Sequence, residues 1–71
     1  MKYAVIYEKS RTGYSAYAPD LPGCVATAAT LDETRALMKE AIEGHLDCMR
    51  EFGYAIPPPT TVAEGIEVPV D

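Results

Sequence analysis

The chain is poor in basic residues. Six lysines and arginines stand against eleven aspartates and glutamates in 71 residues, which leaves a formal net charge of −5. Proteins that bind nucleic acid non-specifically neutralise phosphates with clustered Lys and Arg, so this composition argues against direct nucleic-acid binding. It favours a basic protein partner, because oppositely charged surfaces attract one another.

Long apolar runs and paired cysteines are also absent from the sequence. No run approaches the roughly 20 apolar residues of a membrane-spanning helix, and residue 1 leads directly into a strand pattern rather than into a secretory leader. The two cysteines, Cys24 and Cys48, lack the C-x-x-C spacing of metal and redox motifs. We therefore expect a cytoplasmic protein with two free thiols and no membrane contact.

Candidate catalytic and metal-binding residues are few. His45 is the single histidine, with Cys48 one helical turn beyond it and Cys24 as a third candidate ligand. Structural zinc takes four protein ligands and catalytic zinc three, so we expect no metal and no cofactor, and we interpret His45 as a buried core residue. A Cys–His nucleophile lacks a third group to orient the base, and the scattered acids Glu8 and Asp20 do not predict a metal-dependent nuclease. The chain is thus expected not to be an enzyme.

A rigid turn and a helix start lie close together near the middle of the chain. Pro22 presets φ at the second position of a β-turn, and Gly23 supplies the positive φ that a type II turn needs next. Thr30 and Glu33 form a capping box, in which the hydroxyl accepts from a free helix N–H and the carboxylate reaches back to the Thr30 N–H. The sequence therefore predicts a chain reversal at Pro22 and a helix that begins at Leu31.

The predicted helix is amphipathic and about 22 residues long. Gly53 is suited to a left-handed C-terminal cap, and three consecutive prolines at 57–59 prevent any continuation.

The polar half of this helix is mostly acidic. Glu43, Asp47 and Glu51 follow one another at i,i+4 spacing, and each such like-charge pair costs an isolated helix roughly a few tenths of a kcal/mol. We interpret this acidic face, together with the aromatic residues Tyr14 and Tyr17, as the candidate partner surface. A merely solvated charged face would show the same pattern.

Three strands are predicted before the helix. Residues 3–8 and 14–18 are rich in β-branched and aromatic residues and flank a polar tract that ends on Gly13, which is the pattern of a hairpin. Residues 25–29 supply a third, apolar strand. Both faces of these strands carry apolar side chains, so a single helix would leave one face or edge of the sheet for a partner.

A fourth strand is predicted after the helix. Residues 66–70 alternate apolar and polar, and Pro69 confines them to a sheet edge because it lacks an N–H. The sequence therefore predicts an α+β fold with the order βββαβ: a small antiparallel three-stranded sheet, one long helix and a C-terminal edge strand. We expect one domain over residues 1–71 with no separate DNA-binding domain.

The order of these features resembles the HicB-like antitoxin family. The matching features are an opening strand Met1-Lys2-Tyr3-Ala4-Val5-Ile6-Tyr7, a Gly13-Tyr14 hairpin, the turn Asp20-Leu21-Pro22-Gly23-Cys24, the Thr30-to-Glu33 cap, the long helix and the Pro57-Pro58-Pro59 exit. The resemblance spans nearly the whole chain and implies a partial ribonuclease-H-like fold.

The function implied by this resemblance is that of an antitoxin in a type II toxin–antitoxin pair. Such a protein binds a HicA-like toxin, a basic messenger-RNA endonuclease, and masks its RNA-cleaving surface. The alternative is a free-standing regulatory module that self-associates without a toxin. In either case we expect a homodimer or larger oligomer, because a domain this small buries only about 60% of its unfolded surface.

Overall fold

The computed structural model describes residues 1–70, which form three strands and one helix. The strands are β1 (Ile6–Lys9), β2 (Tyr14–Tyr17) and β3 (Val25–Ala28), and the helix is α1 (Leu31–Glu51). The strands make an antiparallel sheet in the order β1-β2-β3, and α1 packs against β2 and β3. The predicted α+β fold, with its antiparallel sheet and long helix, is confirmed.

The loop between β2 and β3 reverses at the predicted turn. The Cys24 N–H donates to the Leu21 carbonyl oxygen at 3.0 Å, and Gly23 has a φ of +84°. This is the geometry expected for Pro22 and Gly23 at the two central positions of a type II turn. The turn places Pro22 on the surface and buries Leu21 completely.

Thr30 caps α1, as predicted. Its backbone is extended, with φ −123° and ψ 158°, and its hydroxyl oxygen accepts from the Glu33 N–H at 3.1 Å. The prediction that the Glu33 carboxylate accepts from the Thr30 N–H is wrong. The Glu33 carboxylate accepts from the Thr30 hydroxyl at 2.9 Å, because the hydroxyl, which already accepts from the helix, can also donate to it.

The C-terminus of α1 is closed by Gly53, also as predicted. Gly53 has a φ of +74°, the Tyr54 N–H donates to the Met49 carbonyl at 2.8 Å and the Gly53 N–H to the Arg50 carbonyl at 3.2 Å. These two bonds make a Schellman motif and satisfy carbonyls that the helix leaves free.

The described part of the chain, residues 1–70, includes no helix with the length and apolar character of a membrane span.

The core lies between α1 and one face of the sheet. Met38 of α1 and Leu21 are fully buried there, next to Ala16 of β2. The same-facing residues Tyr3 and Val5, which precede β1, pack against this core. The helix therefore covers only one face of the sheet, as expected.

The predicted C-terminal edge strand is not formed by this chain. Residues 54–70 have no regular secondary structure, and Ile66 and Val68 are 79% and 66% exposed. A strand is held by hydrogen bonds to a neighbouring strand, and among the described residues this segment has none. Residues 66–70 have the alternating sequence of a strand, but among residues 1–70 no neighbouring strand pairs with them.

Candidate partner-binding surfaces

The acidic face of α1 comprises Glu43, Asp47 and Glu51, which are all exposed. Asp47 is partly neutralised, because its Oδ1 accepts from Arg50 Nη1 at 3.0 Å in an exposed ion pair. Glu43 and Glu51 form no ion pair within residues 1–70. The charge free to meet a partner is therefore carried mainly by these two glutamates.

The opposite side of the molecule is the open sheet face, the face that α1 does not cover. Strand register aligns Ile6 of β1 with Tyr17 of β2, and Tyr17 with Val25 of β3. Tyr17 is 41% and Val25 63% exposed, while Ile6 is half-buried. This row of apolar side chains across three strands is a second candidate surface.

The structure separates the residues that the sequence predicts as one site. Tyr14 lies three residues before Tyr17 in β2, so the two side chains point to opposite faces of the sheet. Tyr14 is half-buried and has the same parity as the buried Ala16, whereas Tyr17 lies on the open sheet face. The acids lie on α1, which packs on the other face of the sheet, and Glu43 among them borders the groove beside β1, so Tyr17 and the acids lie on different sides of the molecule.

A groove of about 390 Å³ runs between α1 and the chain leading into β1. Its floor is apolar and includes Tyr3, Val5 and Ile42. Its rim carries positive and negative side chains, and these are Arg35, Lys39 and Glu43. The Arg35 guanidinium lies 5.9 Å from the centre of the Tyr7 ring, a cation–π distance.

Asp20 anchors the segment that follows the prolines. Its Oδ2 accepts from the N–H groups of Thr60 and Thr61 at 2.9 Å each, and its Oδ1 accepts from their hydroxyls at 3.2 and 2.7 Å. The Thr61 N–H is the main cause that holds the pKa of Asp20 below its ordinary value. A second attachment is the Tyr3 hydroxyl, which donates to the Pro57 carbonyl at 2.6 Å.

Sequence reasoning missed this anchor, because it placed Asp20 in the turn segment and assigned it no bonding partner. The bonded residues lie 40 and 41 positions apart, beyond the reach of any local pattern. The Thr-Thr pair directly after the prolines is the signal that could have identified it, since two adjacent hydroxyls and N–H groups suit one carboxylate.

The candidate metal and thiol groups assemble no site. His45 is half-buried rather than buried in the core, and Cys48 is exposed. Burial raises the pKa of the Cys24 thiol, so the nucleophilic thiolate is disfavoured there. Residues 1–70 contain no group of three or more His, Cys, Asp or Glu side chains that could hold a metal ion.

Comparison with known proteins agrees with this fold. A family model described as the HicB-like antitoxin of bacterial toxin–antitoxin systems matches residues 3–70. The chain belongs to the HicB-like antitoxin family.

Among curated relatives in this family is Antitoxin HicB 2 of Photorhabdus laumondii, which is 33% identical over 97% of the chain and 50% of its own length. An uncharacterised 14.9 kDa protein from the rep-hol intergenic region of Haemophilus phage HP1 is 35% identical over 97% of the chain and 52% of its own length. A UPF0150 protein of Archaeoglobus fulgidus is 46% identical over 66% of the chain. The chain thus spans about half the length of the two longer relatives.

A solved structure resembles the HicB-like fold described above. It is a chain of a HicA3 and HicB3 toxin–antitoxin complex, with a TM-score of 0.70 and 27% sequence identity over 83% of this chain and 70% of that chain.

Proposed function

We propose that this chain acts as an antitoxin, which binds a HicA-like messenger-RNA endonuclease and masks its RNA-cleaving surface. The observation that carries the proposal is the match to a chain of a toxin–antitoxin complex over 83% of the residues. Family membership over residues 3–70 supports it. The action is binding in the cytoplasm, with no reaction catalysed by this chain.

The acidic face of α1 is the surface proposed to meet the toxin. Glu43 and Glu51 are exposed and form no ion pair within the described residues, so their charge is available to a basic partner. Charges of this kind act mainly on the rate of encounter, because they steer the approach of an oppositely charged protein. The overall charge of −5 acts in the same direction.

The experiment pairs the chain with a toxin encoded by a short, basic, His-containing reading frame next to its gene. Co-expression should rescue growth, and association should slow at high salt. Glu43→Lys with Glu51→Lys should slow association roughly tenfold, with folding checked by circular dichroism. The control, Glu64→Lys with Glu67→Lys, makes the same change in net charge elsewhere and should have a much smaller effect, with association measured at a concentration where every variant is monomeric by sedimentation.

Two results would contradict parts of this proposal. If both double variants bind equally fast, the acidic face is not the toxin surface, and the open sheet face with Tyr17 and Val25 becomes the candidate. If no basic neighbour binds the wild-type chain at all, the antitoxin function itself is refuted.

The second candidate function is that of a regulatory module that self-associates without a toxin. We propose that the chain self-associates whether or not it also binds a toxin. The observation that favours it is the amount of apolar surface left uncovered. Among residues 1–70 only five apolar residues are buried, whereas ten large ones are exposed. A small domain with so thin a core is expected to gain stability from a second copy.

A further inference from the structure

Residues 62–70, which we call the tail, have the alternating sequence of a β-strand but form no strand in the structure. Val62, Ile66, Val68 and Val70 are 82%, 79%, 66% and 90% exposed. All four lie at even positions together with Glu64, and Glu67 lies at an odd one. Since successive side chains of a strand point to opposite faces, an extended tail presents one face with four apolar side chains and Glu64, and an opposite face with Glu67.

The tail also leaves the chain with more surface than a compact monomer has. The accessible surface is 5531 Å², whereas a folded monomer of 7.7 kDa is expected to expose about 4,300 Å². The radius of gyration is 14.1 Å against about 11 Å for a compact chain of this length. The excess of about 1,200 Å² exceeds the ~800 Å² that each partner buries in a stable complex.

The molecule contains a site that fits such a tail. β1 is at the edge of the sheet in the described structure, so one side of its backbone can accept a further strand. Beside it lies the groove, whose apolar floor of Tyr3, Val5 and Ile42 is open to solvent. A strand added to this edge would place alternate side chains over that floor.

Charge favours the same pairing. The tail carries Glu64 and Glu67 and no basic residue through residue 70. The groove rim carries Arg35 and Lys39 beside the acid Glu43. Arg35 Nη1 already donates to Asp32 Oδ1 at 2.9 Å in an exposed ion pair, whereas Lys39 forms no ion pair within residues 1–70, so Lys39 is the rim charge available to the acidic tail.

We infer that two copies of this chain exchange tails: residues 62–70 of each pair with the free edge of β1 in the other and set Ile66 and Val68 into its groove. A twofold arrangement satisfies both tails and both grooves at once. The Asp20 anchor at Thr60 and Thr61 fixes where the tail departs, and nine residues reach about 30 Å when extended. The inference does not depend on the existence of a toxin.

The test is a charge exchange measured by sedimentation of the full chain over a range of concentrations. One variant carries Glu64→Lys and Glu67→Lys, and the other Arg35→Glu and Lys39→Glu. Each alone should dimerise about tenfold more weakly than wild type, because attraction becomes repulsion. The equimolar mixture should recover wild-type affinity, since each tail then meets a groove of opposite charge in the other copy. A mixture as weak as its components would overturn the inference.

A second pair of variants shows whether the tail or the open sheet face forms the dimer contact. Ile66→Ser with Val68→Ser removes the apolar anchors from an exposed segment, so folding is unaffected and dimerisation should weaken roughly a hundredfold. The matched control, Tyr17→Ser with Val25→Ser, removes two exposed apolar side chains from the open sheet face and should dimerise like wild type. Loss of the dimer in the control alone, or a wild-type chain that stays monomeric, would overturn the inference.

Discussion

Replacement of Thr30 by alanine tests how α1 begins. The hydroxyl makes two bonds: it accepts from the Glu33 N–H at 3.1 Å and donates to Glu33 Oε1 at 2.9 Å. Alanine removes both bonds and leaves one helix N–H to water. The bond from the Thr34 hydroxyl to the Thr30 carbonyl at 2.7 Å survives, because it uses the backbone of residue 30.

The expected cost is about 1 kcal/mol of unfolding free energy, the usual contribution of an N-cap. A chain of this length has a total stability of roughly 4–11 kcal/mol, so the change is easily measured. It corresponds to a fall of about 4–8 °C in Tm, or of up to about 1 M in the urea midpoint.

The assay is urea unfolding followed by circular dichroism, at one protein concentration because self-association shifts apparent stability. Thr30→Ser is the matched control, since it keeps the hydroxyl and should unfold close to the wild-type midpoint. An unchanged midpoint for the alanine variant would show that the cap does not stabilise α1. A serine variant as unstable as alanine would show that the methyl group, rather than the hydroxyl, is responsible.

Two further predictions concern the anchor and the hairpin. The pKa of Asp20 is lowered from 3.8, so its carboxylate should hold Thr60 and Thr61 fully above pH 3.8 and release them as the pH falls through the lowered pKa. The amide NMR signals of both threonines should therefore shift as the pH falls through that value. Signals that stay unchanged down to about pH 1 would contradict the anchor. Gly13→Ala should cost roughly 1–3 kcal/mol in thermal melts, because its Cβ would press against the backbone of residues 28 and 29. Gly65→Ala, where a Cβ meets nothing within 4 Å, is the control, and equal Tm values for the two variants would refute the contact.

The features that the sequence predicted correctly are local ones. Pro22 and Gly23 restrict their own φ angles, Thr30 bonds a backbone group three residues on, and Gly53 adopts a conformation that costs other residues energy. Each of these depends on a few neighbouring residues. They can therefore be read from spacing alone.

The features that it missed depend on the rest of the chain. Asp20 meets Thr60 and Thr61 only after the chain has folded back. The prediction that Tyr17 and the acids of α1 form one partner surface rests on residue type alone, and strand alternation places Tyr17 on the face of the sheet that α1 does not cover. The pattern at 66–70 predicts a strand that the structure does not contain, because a strand also needs a neighbouring strand to pair with.

The function proposed for this chain is to neutralise a ribonuclease by binding it. The most direct measurement is the RNA-cleavage rate of the purified neighbouring toxin as this chain is added in increasing amounts. We predict that cleavage falls in proportion and stops once the antitoxin saturates the toxin. Cleavage that continues at the same rate in a large excess of folded chain would contradict the claim.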